Sequence, residues 1–368
     1  METVMQQVGE STNNASIFGK VGSMGHEQVV FCNDPSTGLK AIIAVHNTIL
    51  GPSLGGVRMW PYKSEEEALN DALRLSRGMT FKNAIAGLNL GGGKAVIIGD
   101  ARTQKNEALM RSFGKFVENL NGKYITAEDV GMTDRDMEYI NMETDHVGGM
   151  PEYRGGLGAP SQFTAYGTYM GMKAAAKRAY GSDRLEGKKV SIQGVGNVAM
   201  FLIGYLTKEN CEVFVTDIYE DRLKAASSKY KVTVVKPNEI YGLPVDIYAP
   251  CALGATINDD TLKALQCDII AGCANNQLQD ETTHGNACVE KGILYAPDFL
   301  VNSGGVINVY AEVIGTGTDW TMAQTEQIYG KTLEVLTTSV REKRNSQEVA
   351  IDLAMQRIEQ IAKVKATY

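Results

Sequence analysis

KKVSIQGVGNVA, residues 188–199, followed by EVFVTD at 212–217, is the stretch on which the reading of this chain turns. KKVSIQ has the apolar, β-branched make-up of a buried strand, and the glycine turn after it opens a helix through VAMFLIGYL (198–206). Asp217 ends the next strand, 23 residues beyond Gly194. Strand, glycine turn, helix, strand and acid in that order form the pattern with which a βαβ unit holds a dinucleotide. Gly194 makes the turn, and Gly196 lets backbone N–H groups approach a pyrophosphate at the helix N-terminus. Asn197 and Val198 continue the cofactor-facing turn, and Ala199 lets the helix pack closely on the strand. Asp217 is placed to accept ribose hydroxyls and would repel a 2′-phosphate, so NAD is expected rather than NADP. A glycine pair alone is weak evidence; the ordered context carries the reading.

Downstream, VTVV (232–235), DIYAPC (246–251), DIIAGC (268–273) and ILYAPD (293–298) are short strands separated by helical segments, the pattern of a parallel, doubly wound sheet. Upstream, SQFTAYGTYMGMKAAAKRAYG (161–181) is a long helix stopped by Gly181. Residues 1–150 hold a separate α/β pattern. Ser64 and Glu67 make a capping box before ALNDALRLSRGM (68–79), KAVIIGD (94–100) reads as a strand, NEALMRSFGKFVENL (106–120) as a helix, and KYIT (123–126) as a strand. Two amphipathic helices, 325–344 and 346–364, close the chain and are expected to pack on the first domain. The expected fold is thus α/β with two domains and a cleft between them. An N-terminal α/β substrate-binding and oligomerisation domain takes residues 1–150 plus about 345–368, and a Rossmann-type doubly wound dinucleotide-binding domain takes 151–344.

Composition narrows the function. Lys+Arg 36 against Asp+Glu 43 gives a net charge of −7 and a pI near 5.3, so a nucleic-acid backbone finds no basic footprint. No stretch approaches the ~20 apolar residues of a membrane span, and the N-terminus lacks the basic start and apolar run of a signal peptide. A cytoplasmic chain is expected, with no membrane partner. Six cysteines lack CxxC spacing and four histidines lack ligand spacing, which favours reduced, buried thiols and no metal.

A second glycine stretch, GLNLGGGKAVIIGD (87–100), resembles a phosphate grip because Lys94 follows three glycines. The comparison with a Walker loop fails: Leu88 stands where its first glycine belongs, and Ala95 where Ser or Thr would hold Mg²⁺. A lysine beside a strand is ordinarily a solvated charge. Here small neighbours suit an ammonium pushed into a confined pocket, and three further features point the same way. Lys82 ends the capped helix, Gly55 and Gly56 offer a close-approach backbone, and Asp129 follows KYIT.

GPSLGGVRMW, GMTFKNAIAGLNLGGGKAVIIGD, NGKYITAEDVG, QGVGNVA, IYAPCALGATIN, AGCANNQL and VNSGGVINV together resemble the glutamate/leucine/phenylalanine/valine dehydrogenases, most closely the leucine-type members. The resemblance runs from about residue 40 to 312; GTGTDWTMAQ, after it, departs from the pattern. It implies oxidation of an L-amino acid at Cα by NAD and hydrolysis of the imine to a 2-oxo acid and ammonia. By resemblance Lys82 anchors the substrate carboxylate, Lys94 is the general base that activates water, and Asp129 exchanges protons with the amino nitrogen. Gly55, Gly56 and Asn276 would help hold the substrate, while Thr164 and Asn302 would lie near the nicotinamide. Two ammonium groups facing one water-poor pocket disfavour each other, so the Lys94 amine is expected to titrate well below the ordinary lysine range.

Glutamate-specific relatives carry a lysine just before the paired glycines, where this chain has Leu54; a glutamate side-chain carboxylate buried there without a partner would be rejected. Ala127, Val306 and Val309 match a leucine-type pocket, and one methylene there discriminates by only ~1–3 kcal/mol, so leucine, isoleucine and valine are all expected to react. The resemblance also implies a homo-oligomer, an octamer for leucine-type enzymes. Phenylalanine dehydrogenase is the alternative enzyme, and a catalytically silent NAD-binding protein the alternative class. A 2-hydroxy-acid dehydrogenase lacks an evident histidine/arginine pair.

Overall fold

The computed structural model describes residues 16–366. The sequence readings that fall on residues 1–15, 367 and 368 lie outside the described residues. The chain divides into two compact units, the first comprising the residues up to Thr80 together with Leu90–Val147, the second Phe81–Asn89 together with Gly148 onward.

The first unit contains α1 (Ile17–Ser23), β1 (Gln28–Asp34), β2 (Leu39–Asn47), β3 (Ser53–Trp60), α2 (Glu65–Ile85), β4 (Gly91–Ile98), α3 (Glu107–Glu118), β5 (Tyr124–Glu128), α4 (Asp134–Asn141) and β6 (Val147–Gly148), with the last turn of α2 belonging by its contacts to the second unit. Its sheet runs β1-β2-β4-β3-β5-β6; β2 is antiparallel to β1 and β4, while β3 is parallel to β4 and β5. Sequence periodicity shows neither β1 nor β2, and the strand it does show, 94–100, begins three residues after the observed start of β4 at Gly91. Gly91–Gly93 lie inside β4 because neighbouring chain leaves no space for side chains. A Cβ would stand 1.8 Å from the Asn47 carbonyl oxygen at Gly91, 2.2 Å from the Thr80 nitrogen at Gly92, and 2.6 Å from the Tyr124 ring at Gly93. α2 starts as expected: the Ser64 hydroxyl accepts from Glu67 N at 3.1 Å, although the Glu67 carboxylate reaches Lys63 N at 2.7 Å. It packs Ala68, Leu69, Ala72 and Leu73 onto Ile42, Ala44 and Val96 of β2 and β4.

The second unit contains α5 (Ser161–Tyr180), β7 (Lys189–Gln193), α6 (Asn197–Lys208), β8 (Glu212–Thr216), α7 (Glu220–Lys229), β9 (Thr233–Val234), β10 (Ile247–Pro250), α8 (Asp259–Ala264), β11 (Ile269–Ile270), α9 (Glu281–Glu290), β12 (Leu294–Tyr295), α10 (Asp298–Val301), α11 (Gly304–Val313), α12 (Thr318–Glu342) and α13 (Ser346–Lys365). Its sheet is parallel throughout, in the order β12-β11-β10-β7-β8-β9. Counted from β7 this is 6-5-4-1-2-3, the doubly wound order whose switch point lies between β7 and β10. Val190, Ile192, Val213, Val215, Ile247 and Ile269 are buried in its core, each contributing about 1.5–3 kcal/mol.

By its contacts α13, packed on α12, α9 and β12, falls in the second unit; its Arg357 donates to the carbonyls of Ala84, Gly87 and Leu88, residues of the 1–150 stretch that by their contacts fall in the second unit too. The divergent stretch after Gly315 forms the first turns of α12, where Thr321 and Thr325 are buried. Among the described residues no helix is long and apolar enough to cross a membrane.

Candidate active site

Strand alternation explains how the first unit assembles its charges. Arg58 of β3 pairs with Val96 of β4, and Gly56 of β3 pairs with Ala127 of β5. Successive odd-even positions alternate between faces, so Gly56, Arg58, Lys94 and Ala127 share the face that carries Val96, the face on which α2 packs. Asp129 continues that side just past β5. The Lys94 ammonium nitrogen lies 2.9 Å from Asp129 Oδ2, and Arg58 Nε donates to the same oxygen at 2.9 Å. The Lys94 side chain is only 6% exposed and that of Asp129 26%. Burial is the largest influence on Lys94 and pushes its amine below the ordinary lysine range; Asp129 draws it back up and Arg58 pushes it down again. Burial opposes ionisation of Asp129, but Lys94 and Arg58 outweigh it and hold the carboxyl below its usual range.

A cation acting on Lys94 is Arg58, which shares the carboxylate oxygen of Asp129; Asp71 acts on Lys94 as well. Lys82 donates from Nζ to Asn302 Oδ1 at 2.6 Å, within the second unit. Arg58 and Asp71 escaped the sequence reading although Arg58 stands in GPSLGGVRMW; the available signal was its spacing of two from Gly56 on a strand.

The paired glycines have a steric basis of their own. A Cβ on Gly55 would meet the Gly93 carbonyl oxygen at 1.7 Å, and one on Gly56 would meet Asp129 Cβ at 2.8 Å. Gly56 therefore clears the space in which Asp129 lies. The Gly55 carbonyl accepts from the Tyr124 hydroxyl at 2.7 Å. Leu54, paired with Gly92, is buried.

In the second unit the glycine turn leaves β7 at the switch point. Gly194 has φ +98°, a conformation that L side chains rarely adopt, and a Cβ there would stand 2.6 Å from the Ala252 methyl. At Gly196 a Cβ would meet nothing within 4 Å, and no side chain caps α6. Open space beside the first N–H groups of a helix fits a pyrophosphate. Asn197 is exposed there, Val198 is half-buried, and Ala199 packs into the core. Asp217 Oδ2 accepts from Val195 N at 2.7 Å and Oδ1 from Tyr219 N at 3.0 Å, which ties the acid to the turn. These residues fit a dinucleotide.

Asn302 is buried at 3% exposure; besides accepting from Lys82, its amide donates to Asn275 Oδ1 at 2.8 Å and to the Cys273 carbonyl at 3.2 Å. Thr164 abuts Gly305, where a Cβ would meet its hydroxyl oxygen at 2.7 Å, and Gly304 lets α11 approach Phe163, so Asn302 and Thr164 lie where α10, α11 and α5 meet. Val306 and Val309 occupy one side of α11 at i and i+3 and are buried. Asn276, at φ +52° on the loop after β11, is exposed. Lys94, Asp129, Leu54, Gly55, Gly56 and Ala127 thus assemble in the first unit, and Lys82, Asn302, Thr164, Asn276, Val306, Val309 and the glycine turn belong to the second.

Comparison with known proteins accords with both halves. Residues 26–146 match the family model described as Glu/Leu/Phe/Val dehydrogenase, dimerisation domain, and residues 155–219 and 214–367 match that of Glutamate/Leucine/Phenylalanine/Valine dehydrogenase. Leucine dehydrogenase of Geobacillus stearothermophilus is 53% identical and that of Bacillus subtilis (strain 168) 52%, each over 352 residues covering 96% of both chains. The crystal structure of L-tryptophan dehydrogenase from Nostoc punctiforme superposes with a TM-score of 0.84 at 43% identity, covering 94% of this chain and 100% of that one. The chain is an amino-acid dehydrogenase of the nicotinamide-dependent kind and belongs to the Glu/Leu/Phe/Val dehydrogenase family.

Proposed function

We propose that this chain is an NAD-dependent leucine dehydrogenase. It converts leucine, isoleucine or valine, with NAD⁺ and water, to the 2-oxo acid, ammonium, NADH and a proton, reversibly. The observation that carries the reading is the buried Lys94 held to Asp129, in a chain so similar to leucine dehydrogenases over almost its full length.

The nicotinamide, when bound, accepts the hydride from Cα. Everything else falls to side chains. Lys82 anchors the substrate carboxylate, exchanging its Asn302 contact for the ligand. Lys94, whose amine burial favours in the neutral form, removes a proton from the water that attacks the imine carbon. Asp129, kept ionised by its two cations, takes and returns the protons of the substrate nitrogen. Gly55, Gly56 and Asn276 help to orient the substrate. Leu54, Ala127, Val306 and Val309 offer hydrocarbon to an aliphatic side chain, and a second carboxylate would find no partner at Leu54. Gly194, Gly196, Asn197, Val198 and Ala199 would seat the dinucleotide, and Thr164 and Asn302 would face its nicotinamide. Asp217 selects NAD by repelling a 2′-phosphate. A homo-octamer working in the cytoplasm completes the reading.

The test is NADH appearance with a panel of L-amino acids. Leucine, isoleucine and valine should react with stoichiometric ammonia release and glutamate should be silent. Preference for phenylalanine or glutamate, or reduction without ammonia, overturns it.

A further inference from the structure

Arg58 plays no part in the mechanism above, yet it is the residue on which the charge network of the first unit converges. Its Nε donates to Asp129 Oδ2 at 2.9 Å, the same oxygen that Lys94 approaches at 2.9 Å, and its Nη1 donates to Asp71 Oδ2 at 3.0 Å. Asp71 is itself held, by the Tyr62 hydroxyl at 2.7 Å and by Arg74 Nη2 at 3.0 Å. The Arg58 side chain is 24% exposed. Two different edges of one planar guanidinium thus grip two carboxylates on different elements, which a lysine's point charge does not reproduce.

This arrangement solves a problem set by the chemistry. A base at Lys94 must shed its proton while the carboxylate 2.9 Å away stays ionised. A buried carboxylate facing only a lysine would hold that proton on the amine. A second, permanent cation on the same oxygen removes the conflict: it satisfies Asp129 when Lys94 is neutral and repels the proton from Lys94. We propose that Arg58 is a positioning residue of the active site, the fixed cation that keeps Asp129 aimed and ionised while the Lys94 amine is free to act as base. The inference rests on the reading of Lys94 as that base.

Asp71 of α2 also acts on Lys94 and is tied to Tyr62 and Arg74; His46 stands two residues along β2 from Ala44, the partner of Lys94, and Tyr124 and Glu128 of β5, on the opposite face, are coupled through the charge of Asp129. Burial, then Asp134, pushes the Glu128 carboxyl up to about 7. Every variant below retains Tyr62, Arg74, His46, Tyr124 and Glu128, so a difference in titration reports the exchanged residue.

The experiment measures carbamoylation of Lys94 by cyanate across pH in the full-length protein, read by peptide mass; only the neutral amine adds to isocyanic acid, forming the urea. Beside it runs the pH profile of kcat/KM with leucine. Arg58→Gln should raise the Lys94 midpoint, and with it the acid limb of the profile, by about half a pH unit or more. Arg58→Lys should leave the midpoint near that of the wild type while lowering kcat/KM, because charge returns without the two-edged grip. Asp71→Asn should lower the midpoint. An unmoved midpoint in Arg58→Gln, or an equal displacement in Arg58→Lys, overturns the proposal. Should Arg58→Gln fail to fold, Arg58→Lys decides: a lowered kcat/KM with the midpoint kept supports the role, and an unchanged kcat/KM overturns it. Absence of leucine oxidation by the wild type would refute the function proposed above, and the cyanate midpoints would still decide for or against Arg58.

Discussion

Leu54 and Asp217 are the single side chains proposed to choose substrate and cofactor. Leu54 sits on β3 opposite Gly92 with 2% exposure, so whatever replaces it is buried too. Leu54→Lys places an unpaired ammonium there; leucine kcat/KM should fall by on the order of 100-fold or more, and glutamate, which brings the missing carboxylate, should lose far less or gain. Steady-state rates on both substrates check this, and unchanged leucine turnover would take Leu54 out of the pocket. Asp217 is 6% exposed in its side chain, with Arg222 Nη1 at 3.8 Å. Asp217→Ser removes the repulsion and leaves that cation, so the kcat/KM ratio of NADP to NAD should rise by roughly tenfold or more. An unchanged ratio would place the selection elsewhere. Both proposals can be made from the sequence, because a residue type at a spacing from glycines is a local property. The Arg58–Asp129 contact was not, since it joins side chains 71 positions apart.

Elements were legible where their periodicity was their own. α2, α3, α5 and the alternation from β7 to β12 follow from apolar spacing, caps and stops such as Gly181, whose φ is +76°. β4 shows the opposite case. Glycine is poor in strands, so the sequence pattern starts the strand only at Lys94, and only the closeness of Asn47, Thr80 and Tyr124 explains why glycine is required at 91–93. Gly92→Ala should therefore lower stability by about 1–3 kcal/mol or more, seen as a drop in Tm, because a Cβ 2.2 Å from the Thr80 nitrogen must displace α2. Gly242→Ala, where a Cβ would meet nothing within 4 Å, should be near neutral. Equal effects of the two would contradict the packing account. β1 and β2 escaped the sequence reading because β2 is buried along seven of nine residues and lacks the alternation that marks a one-faced strand.

For the whole molecule, charge and burial set where the fold is stable and where the chemistry sits. His26 and His46 form an edge-to-face pair with ring centroids 4.8 Å apart. Burial lowers both rings, and His46, pressed also by the charge of His26, falls from 6.5 to about 4. A depressed folded-state value means that the unfolded chain binds protons first. The contribution of His46 is complete above 6.5 and is lost as pH falls towards about 4. Urea denaturation near pH ~5.5 should show roughly 1 kcal/mol less stability than near pH ~7.5, and His46→Gln should flatten that difference; an unaltered slope would contradict it. The sequence shows that α13 has a face to bury, but an amphipathic helix does not name its partner, and α12, α9 and β12 are known only from the fold. The proposed octamer predicts a light-scattering mass eight times that of the 39.9 kDa chain. The central claim, that the buried Lys94 amine carries the dehydrogenation, is tested most directly by Lys94→Ala. NADH binding, read by fluorescence, should persist while turnover of leucine falls by roughly 10²–10⁴-fold; turnover within a few-fold of the wild type would contradict it.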